Sequence, residues 1–432
     1  WSMYAEQVFG DAGNREVGLS RSRRDDVRAE AAKSRDDLRS EESVPTGDDD
    51  RAVRPVCGRR LRCHAENDIP FGTMEGMRVA YTLEQCWHRV PGGTAVAALE
   101  VARAMSEARS DVTLLGVSGT HHEDPAITFD VSIDVAGLSL RSPWLYEASL
   151  RFNRPRVESV WPEVDLVHCT TLIPLATKRP MVATVHDVAF LHYPEFFTRR
   201  GNRVFRRSIA ALKSRAAKVL CSSSATLNDL RDLGFSEERL RFVPLGVRGA
   251  VVTDEDRARV REKLSLPNEY LLFVGTLEPR KNLERLVTAL AMDANLPPLI
   301  VAGLDGWGEM GNVSGGDVRF VGYVDEWNLP ALYDQASVLC YPSLWEGFGL
   351  PILEAMSHGT PVVTSSGTST EEVAGGAAVL VEPTSVEDIL RGVREALNLR
   401  ADLSSRGRAR AAAATWTNTA RATAAVYDEV LA

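Results

Sequence analysis

The chain has 432 residues, 44% of them hydrophobic, and a formal net charge of −9. That length accommodates two or three domains, and the acidic balance excludes general nucleic-acid binding. No apolar run reaches the roughly 18 residues of a spanning helix, and no apolar leader opens the chain, so a cytoplasmic protein is expected. The six cysteines show no paired metal spacing. Cys57 and Cys63, followed by His64, match no zinc pattern, and inert reduced thiols are expected.

Residues 1–76 differ from the rest. They carry 13 Lys+Arg and 16 Asp+Glu, with few large apolar residues and no sustained period. Such a segment cannot bury enough apolar area to offset its ordering entropy. Disorder or a non-native extension is expected, with Met74 or Met77 as candidate initiators because the chain opens on Trp1.

From Met77 onward, short apolar runs alternate with helical periods. "MRVAYTL" (77–83) precedes the helical "GGTAVAALEVARAMSEA" (92–108), and "VTLLGVSG" (112–119) follows. Then come "VDLVHCT" (164–170), "PMVATVHDV" (180–188), "AKVLCSSS" (217–224) and "RLRFVPLGV" (239–247). Val, Leu and Ile runs bounded by turn residues read as strands of a parallel sheet covered on both faces. A polar helical stretch at 253–265 leads to a second series: 270–277, 298–304, 318–324, 337–343, 361–366 and 377–383. Two such series predict an α/β protein of two doubly wound, Rossmann-like domains facing a cleft, with the ligand beyond the strands' carboxyl ends. The expected division is 77–250 and 251–415, the boundary falling near 248–268.

The most informative stretch is "WEGFGLPILE" (345–354), with Glu346 and Glu354 eight positions apart. The surrounding "PSLWEGFGLPILEAMSHGTPVV" reads as strand, loop, helix, strand. Pro351 fits the first turn of a helix starting near Leu350, which places Glu354 in that first turn. Gly347 and Gly349 free the loop backbone to approach a ligand, and unpaired N–H groups at the helix start favour a diphosphate. Glu354 is suited to ribose hydroxyls and Glu346 to sugar hydroxyls or positive charge; alone, each also reads as a surface residue. "GTLEPRKNLERLV" (275–287) sits at another strand end, where Arg280 and Lys281 are placed to neutralise a leaving diphosphate. No Walker-type loop supports an ATPase, and no G-x-S-x-G elbow surrounds Ser222–Ser224, which read as loop or cap residues. His358 reads as a helix end before Gly359. His168, after a strand, is a candidate near the cleft.

These blocks resemble the family 4 retaining glycosyltransferases of the GT-B fold. "EGFGLPILE" is similar to that family's two-glutamate signature, "GTLEPRKN" to its donor-phosphate motif, and "VHDVAFLHYPE" (185–195) to its donor-facing histidine segment. The resemblance covers roughly 77–432. It implies that Glu346 contacts the donor sugar and Glu354 the ribose. It implies that Phe348, Gly349 and Leu350 offer backbone amides, and that Arg280 and Lys281 bind the diphosphate. His186 would approach the sugar with Asp187 beside it. Gly92 and Gly93 would form the glycine-rich loop, and Gly322 and Tyr323 would lie beside the base. Residues 416–432 would cross back onto the N-terminal domain. Where many members carry Arg after the glycine of the phosphate motif, this chain has Thr276. Arg280 therefore takes more of the expected role.

The expected activity is retaining, metal-independent transfer of a hexose from GDP-mannose or a UDP-sugar to a glycan, lipid-linked or small-molecule hydroxyl. The nucleotide sugar is a co-substrate, and neither cofactor nor metal is expected. The rivals are an epimerase or phosphorylase of similar architecture and an inactive nucleotide-sugar-binding scaffold subunit. Residues 196–218 hold eight Lys or Arg and no acid. The basic residues 199–218 mark an expected peripheral membrane contact, with Phe205, Ile209, Leu212 and Ala216 as the core-facing stripe.

Overall fold

The computed structural model describes residues 76–88, 92–127, 129, 131–304 and 316–432. The expectations for residues 1–75, including Cys57, Cys63, His64 and Met74, lie outside them. The described residues build two parallel sheets with helices on their faces, as the alternating pattern requires. The first has seven strands in the order β3-β2-β1-β4-β5-β6-β7. They are β1 (Met77–Thr82), β2 (Val112–Ser118), β3 (Val135–Gly137), β4 (Leu166–Cys169), β5 (Met181–Val185), β6 (Lys218–Cys221) and β7 (Leu240–Phe242). The second has six, in the order β10-β9-β8-β11-β12-β13. Its strands are β8 (Leu271–Val274), β9 (Leu299–Ala302), β10 (Val318–Gly322), β11 (Val338–Tyr341), β12 (Val362–Ser365) and β13 (Val379–Val381).

Burial explains why these runs are strands. Every residue of β4, β9, β11 and β12 is buried, which only a sheet covered on both faces permits. β3 escaped the sequence reading. It is a three-residue edge strand whose residues are partly or fully exposed, so it carries no apolar run.

Helices that bear on the site are α1 (Gly92–Ala108), α2 (Trp144–Phe152), α3 (Arg199–Arg215), α4 (Ser224–Asp232), α5 (Asp254–Lys263) and α6 (Leu283–Leu290). After them come α7 (Leu329–Gln335), α8 (Leu350–Ser357), α9 (Ser369–Ala374), α10 (Val386–Asn398), α11 (Arg400–Ala413) and α12 (Trp416–Leu431). In α3, Phe205, Ile209 and Leu212 are buried, as is Ala216 just beyond it, which is the expected stripe. Ser223 caps α4 by accepting from the Thr226 N–H, and His358 ends α8 before Gly359, whose φ is +76°.

The last helix, α12, crosses back to the first sheet. It packs along α1, and Tyr427 and His168 share a hydrogen bond of 2.6 Å between Oη and Nδ1. Arg109 pairs with Asp428, and Lys218 with Glu429. A Cβ on Gly246 would stand 2.2 Å from the Trp416 nitrogen. Only glycine lets the segment after β7 pass this closely under the start of α12. Among the described residues no helix is long and apolar enough to cross a membrane. Cys86, Cys169, Cys221 and Cys340 are buried and unpaired.

Candidate active site

The β8-β11 and β1-β4 neighbours are the points where strand order reverses, the place where open α/β sheets bind ligands. The segment after β8 carries Arg280 and Lys281, and the segment after β11 carries Glu346. All three side chains are buried. Arg280 Nη1 donates to Glu346 Oε2 at 2.8 Å, and Lys281 Nζ lies 2.6 Å from Glu346 Oε1. The Tyr341 hydroxyl donates to that same oxygen at 3.0 Å and receives Lys281 Nζ at 2.5 Å. On its other side Arg280 donates through Nε to Glu278 Oε2 at 2.7 Å. Thr276 donates to Glu278 Oε1 at 2.6 Å.

Two cations and two carboxylates therefore balance inside the protein. Burial alone would raise a carboxyl's pKa. Here Arg280 and Lys281 outweigh burial and hold Glu346 down at about 2, and Arg280 does the same for Glu278, also at about 2. Burial lowers the Lys281 ammonium, partly offset by Glu346. Glu278 and Tyr341 have structural parts in this site that the sequence did not assign. Glu278 sits inside the quoted phosphate motif and was within reach. Tyr341 ends an apolar strand and carried no signal.

Glu354 is different. It is the fifth residue of α8, and the first turn of that helix contains no acid, which corrects the expected first-turn position. Pro351 and the left-handed Gly349, φ +103°, begin the helix one residue earlier than that placement needs. The Tyr333 hydroxyl donates to Glu354 Oε2 at 2.8 Å. With no cation to help, burial raises its carboxyl. The N–H groups of Phe348, Gly349 and Leu350 have no partner among the described residues, so the helix start presents open donors.

The first sheet meets this loop directly. A Cβ on Gly347 would stand 2.3 Å from the His186 carbonyl oxygen and 2.8 Å from the Asp187 Cβ. A Cβ on Gly93 would meet Leu350 Cδ1 at 3.5 Å. The fold thus brings Gly92, Gly93, His186, Asp187 and the 346–350 loop to one place. His186 is buried, and burial holds its imidazole down at about 4 although a hydrogen bond with the Thr170 backbone opposes this. It is neutral at pH 7. Its carbonyl accepts from Ser222 and Thr226 at 3.2 and 3.0 Å. Asp187 accepts from the Ala189 N–H at 3.0 Å.

His168 is a bracing residue. Its Nε2 lies 2.8 Å from Thr184 Oγ1 and its Nδ1 is held by Tyr427. Further bridges join the halves: Ser224 donates through N and Oγ to Glu372 at 2.9 and 3.0 Å. Trp345 stacks on His192 with ring centroids 3.9 Å apart. Gly322 and Tyr323 are not drawn into the ion cluster. Gly322 ends β10, the outer strand of the second sheet, and Tyr323 follows it, 67% exposed.

Two family models match the chain: "Glycosyltransferase Family 4" over residues 91–248 and "Glycosyl transferases group 1" over 254–416. The O-antigen chain mannosyltransferase B of Escherichia coli is 33% identical over 265 residues, covering 57% of this chain and 69% of that protein. The serotype-specific mannosyltransferase WbdA of Escherichia coli is 29% identical over 275 residues. The match covers 58% of this chain and 32% of WbdA. The solved structure of Anabaena HepE in complex with UDP and glucose aligns with a TM-score of 0.61 at 18% identity. It covers 82% of this chain and all of HepE, 100%. The fold is that of the GT-B glycosyltransferases, and the chain belongs to glycosyltransferase family 4.

Proposed function

We propose that this protein is a retaining, metal-independent glycosyltransferase that moves mannose from GDP-mannose to a hydroxyl of a glycan or lipid-linked acceptor. The observation that carries the reading is the balanced Glu278–Arg280–Glu346–Lys281 cluster beneath the open amides of residues 348–350. The mannosyltransferase names of its relatives favour mannose, and a UDP-sugar is the alternative donor that HepE's bound UDP supports.

Cleaving a glycosyl–phosphate bond puts positive charge on the sugar and negative charge on the departing diphosphate. Donors fixed in advance stabilise that charge without reorganising at the moment of reaction. Glu278, Glu346 and Tyr341 hold Arg280 and Lys281 in place, and the 348–350 amides add dipoles from the helix start. These fixed donors, rather than a net positive charge, are what the proposed metal-independent departure of the diphosphate rests on. Glu346 faces the sugar and Glu354 the ribose. Neutral His186 accepts or donates one hydrogen bond to the sugar without adding a charge beside the developing cation. The acceptor attacks from the face the phosphate leaves, and a departing phosphate oxygen takes its proton. Contact of Gly347 with His186 keeps water from the reacting centre.

Thermal stability measured against GDP, UDP, GDP-mannose and UDP-sugars, with and without EDTA, tests this. Stabilisation by one nucleotide, unchanged by EDTA, is expected. The anomeric configuration of the transferred sugar, read by NMR, tests retention. A folded protein that no nucleotide stabilises would instead support a scaffold subunit.

A further inference from the structure

We propose that Trp345 is a positioning residue of the active site: its ring, docked in the first domain on His192 and Asp229, holds the Arg280–Glu346 pair against the His186 segment. The kinetic part of this inference rests on the transferase reading, and one arm of its test needs no substrate.

The first observation is where the ring packs. Trp345 follows β11 and belongs by sequence to the second sheet. Its side chain packs against the apolar core built from residues 80–240, and among the described residues it alone does so from beyond residue 240. The indole lies on the His192 imidazole, with centroids 3.9 Å apart and planes 30° apart, and the Tyr193 ring is 6.5 Å away. His192 ends the short helix Ala189–His192, which starts two residues after Asp187. Its Nε2 lies 2.9 Å from Asp229 Oδ1 on α4, so a second element fixes the imidazole from behind.

The second observation is a backbone link, independent of the first. The Trp345 carbonyl accepts from Arg280 Nη1 at 3.2 Å, and Glu346 Oε2 accepts from the same nitrogen at 2.8 Å. The Leu344 N–H donates to the Arg280 carbonyl at 2.8 Å. Two residues beyond Trp345, Gly347 meets the His186 carbonyl. A displaced indole would therefore move the guanidinium and the loop together. Misplacing reacting groups by about 1 Å can cost roughly 100-fold in rate.

The third observation is an unmade bond. Trp345 Nε1 is buried and has no partner among the described residues. A buried donor left unpaired costs stability, so packing and the stack hold this ring in place without help from a hydrogen bond. That is how a group selected for its position is held.

Hydrogen exchange of the indole N–H, in the full chain labelled with 15N-tryptophan, reads the anchor without any donor. The Trp345 resonance is assigned by its loss in Trp345→Phe. Slow exchange in the parent, quickened about tenfold or more by His192→Ala, is expected. Transfer assays read the positioning. Trp345→Ala and His192→Ala should each lower kcat about two- to tenfold, the worth of one aromatic pair, with the donor KM unchanged. The double variant should lose no more than Trp345→Ala alone, because contacting residues are not additive. Trp345→Phe keeps a ring on His192 and should recover most of the loss. The His192 side chain is 37% exposed, so His192→Ala keeps the test open should Trp345→Ala not fold. A lower melting temperature with unchanged kcat would make the ring merely structural and overturn the proposal. So would losses that multiply in the double variant, a donor KM that rises as kcat falls, or an indole N–H that exchanges freely in the parent. Failure of the transferase reading would show as a parent that transfers no sugar, whereas failure of this proposal leaves the parent active and its variants equal to it.

Discussion

Glu346 and Glu354 are the same residue type at the two ends of one loop, and the fold treats them in opposite ways. Glu346 receives Arg280, Lys281 and Tyr341 and is held ionised, down at about 2. Glu354 receives one phenol, and burial pushes its carboxyl up. The difference comes from neither residue's own neighbours in sequence. It comes from which strand end lies opposite: the β8 segment delivers two cations to Glu346, and α7 delivers only Tyr333 to Glu354. A buried carboxylate is therefore defined by its partner element.

The contrast breaks most sharply where a cation is removed. Lys281→Ala takes away a cation proposed to act at the leaving group, and kcat is expected to fall about 100- to 1,000-fold, as for loss of one preorganised oxyanion donor. Steady-state transfer assays with the donor found by thermal shift measure this. Glu346→Gln leaves Arg280 and Lys281 buried with one counter-charge fewer. Urea unfolding should show a loss of about 3–5 kcal/mol. Gly347→Ala pushes a methyl group into the His186 carbonyl. A loss of about 1–3 kcal/mol is expected, with activity falling further than stability because the cleft opens.

Acid sharpens the same comparison. Glu346 and Glu278 lie at about 2 against an ordinary 4.5. Their stabilisation is complete above about pH 4.5 and is lost as pH falls toward 2. His186 at about 4 and His168 at about 3 are depressed from 6.5. Below pH 6.5 the unfolded chain binds these protons first, so stability should begin to fall there, by up to about 1.4 kcal/mol per pH unit for each histidine. Melting temperatures from pH 7.5 to 3 should show the earlier decline become shallower in His168→Gln, the share of His186 and the later decline remaining. The smallest effect belongs to Glu354→Gln. Its raised carboxyl costs stability at neutral pH, so the melting temperature should stay level or rise, while the proposed ribose contact would raise the KM for the donor about tenfold when lost.

Much of this architecture was legible in the sequence. Among the described residues, twelve of the thirteen strands announce themselves as apolar runs between turn residues, because a parallel sheet buries both faces. β3 did not, being short and at an edge. The charged residues of the candidate site were legible in "GTLEPRKN" and "WEGFGLPILE", which the fold brings to the ends of neighbouring strands. The Arg280–Glu346 and Lys281–Glu346 pairs were not legible, since they join residues about 65 positions apart. Gly347 was read as a freedom of the loop, whereas the structure makes it a point of contact with His186.

By itself, then, the sequence determined the two parallel sheets and the residues at their carboxyl ends. Periodicity and burial act over a few residues and are written locally. Tertiary structure alone decided which carboxylate is ionised and which glycine touches the opposite domain. Those properties depend on desolvation and on charges brought within about 3 Å of each other, and no spacing along a chain records that distance.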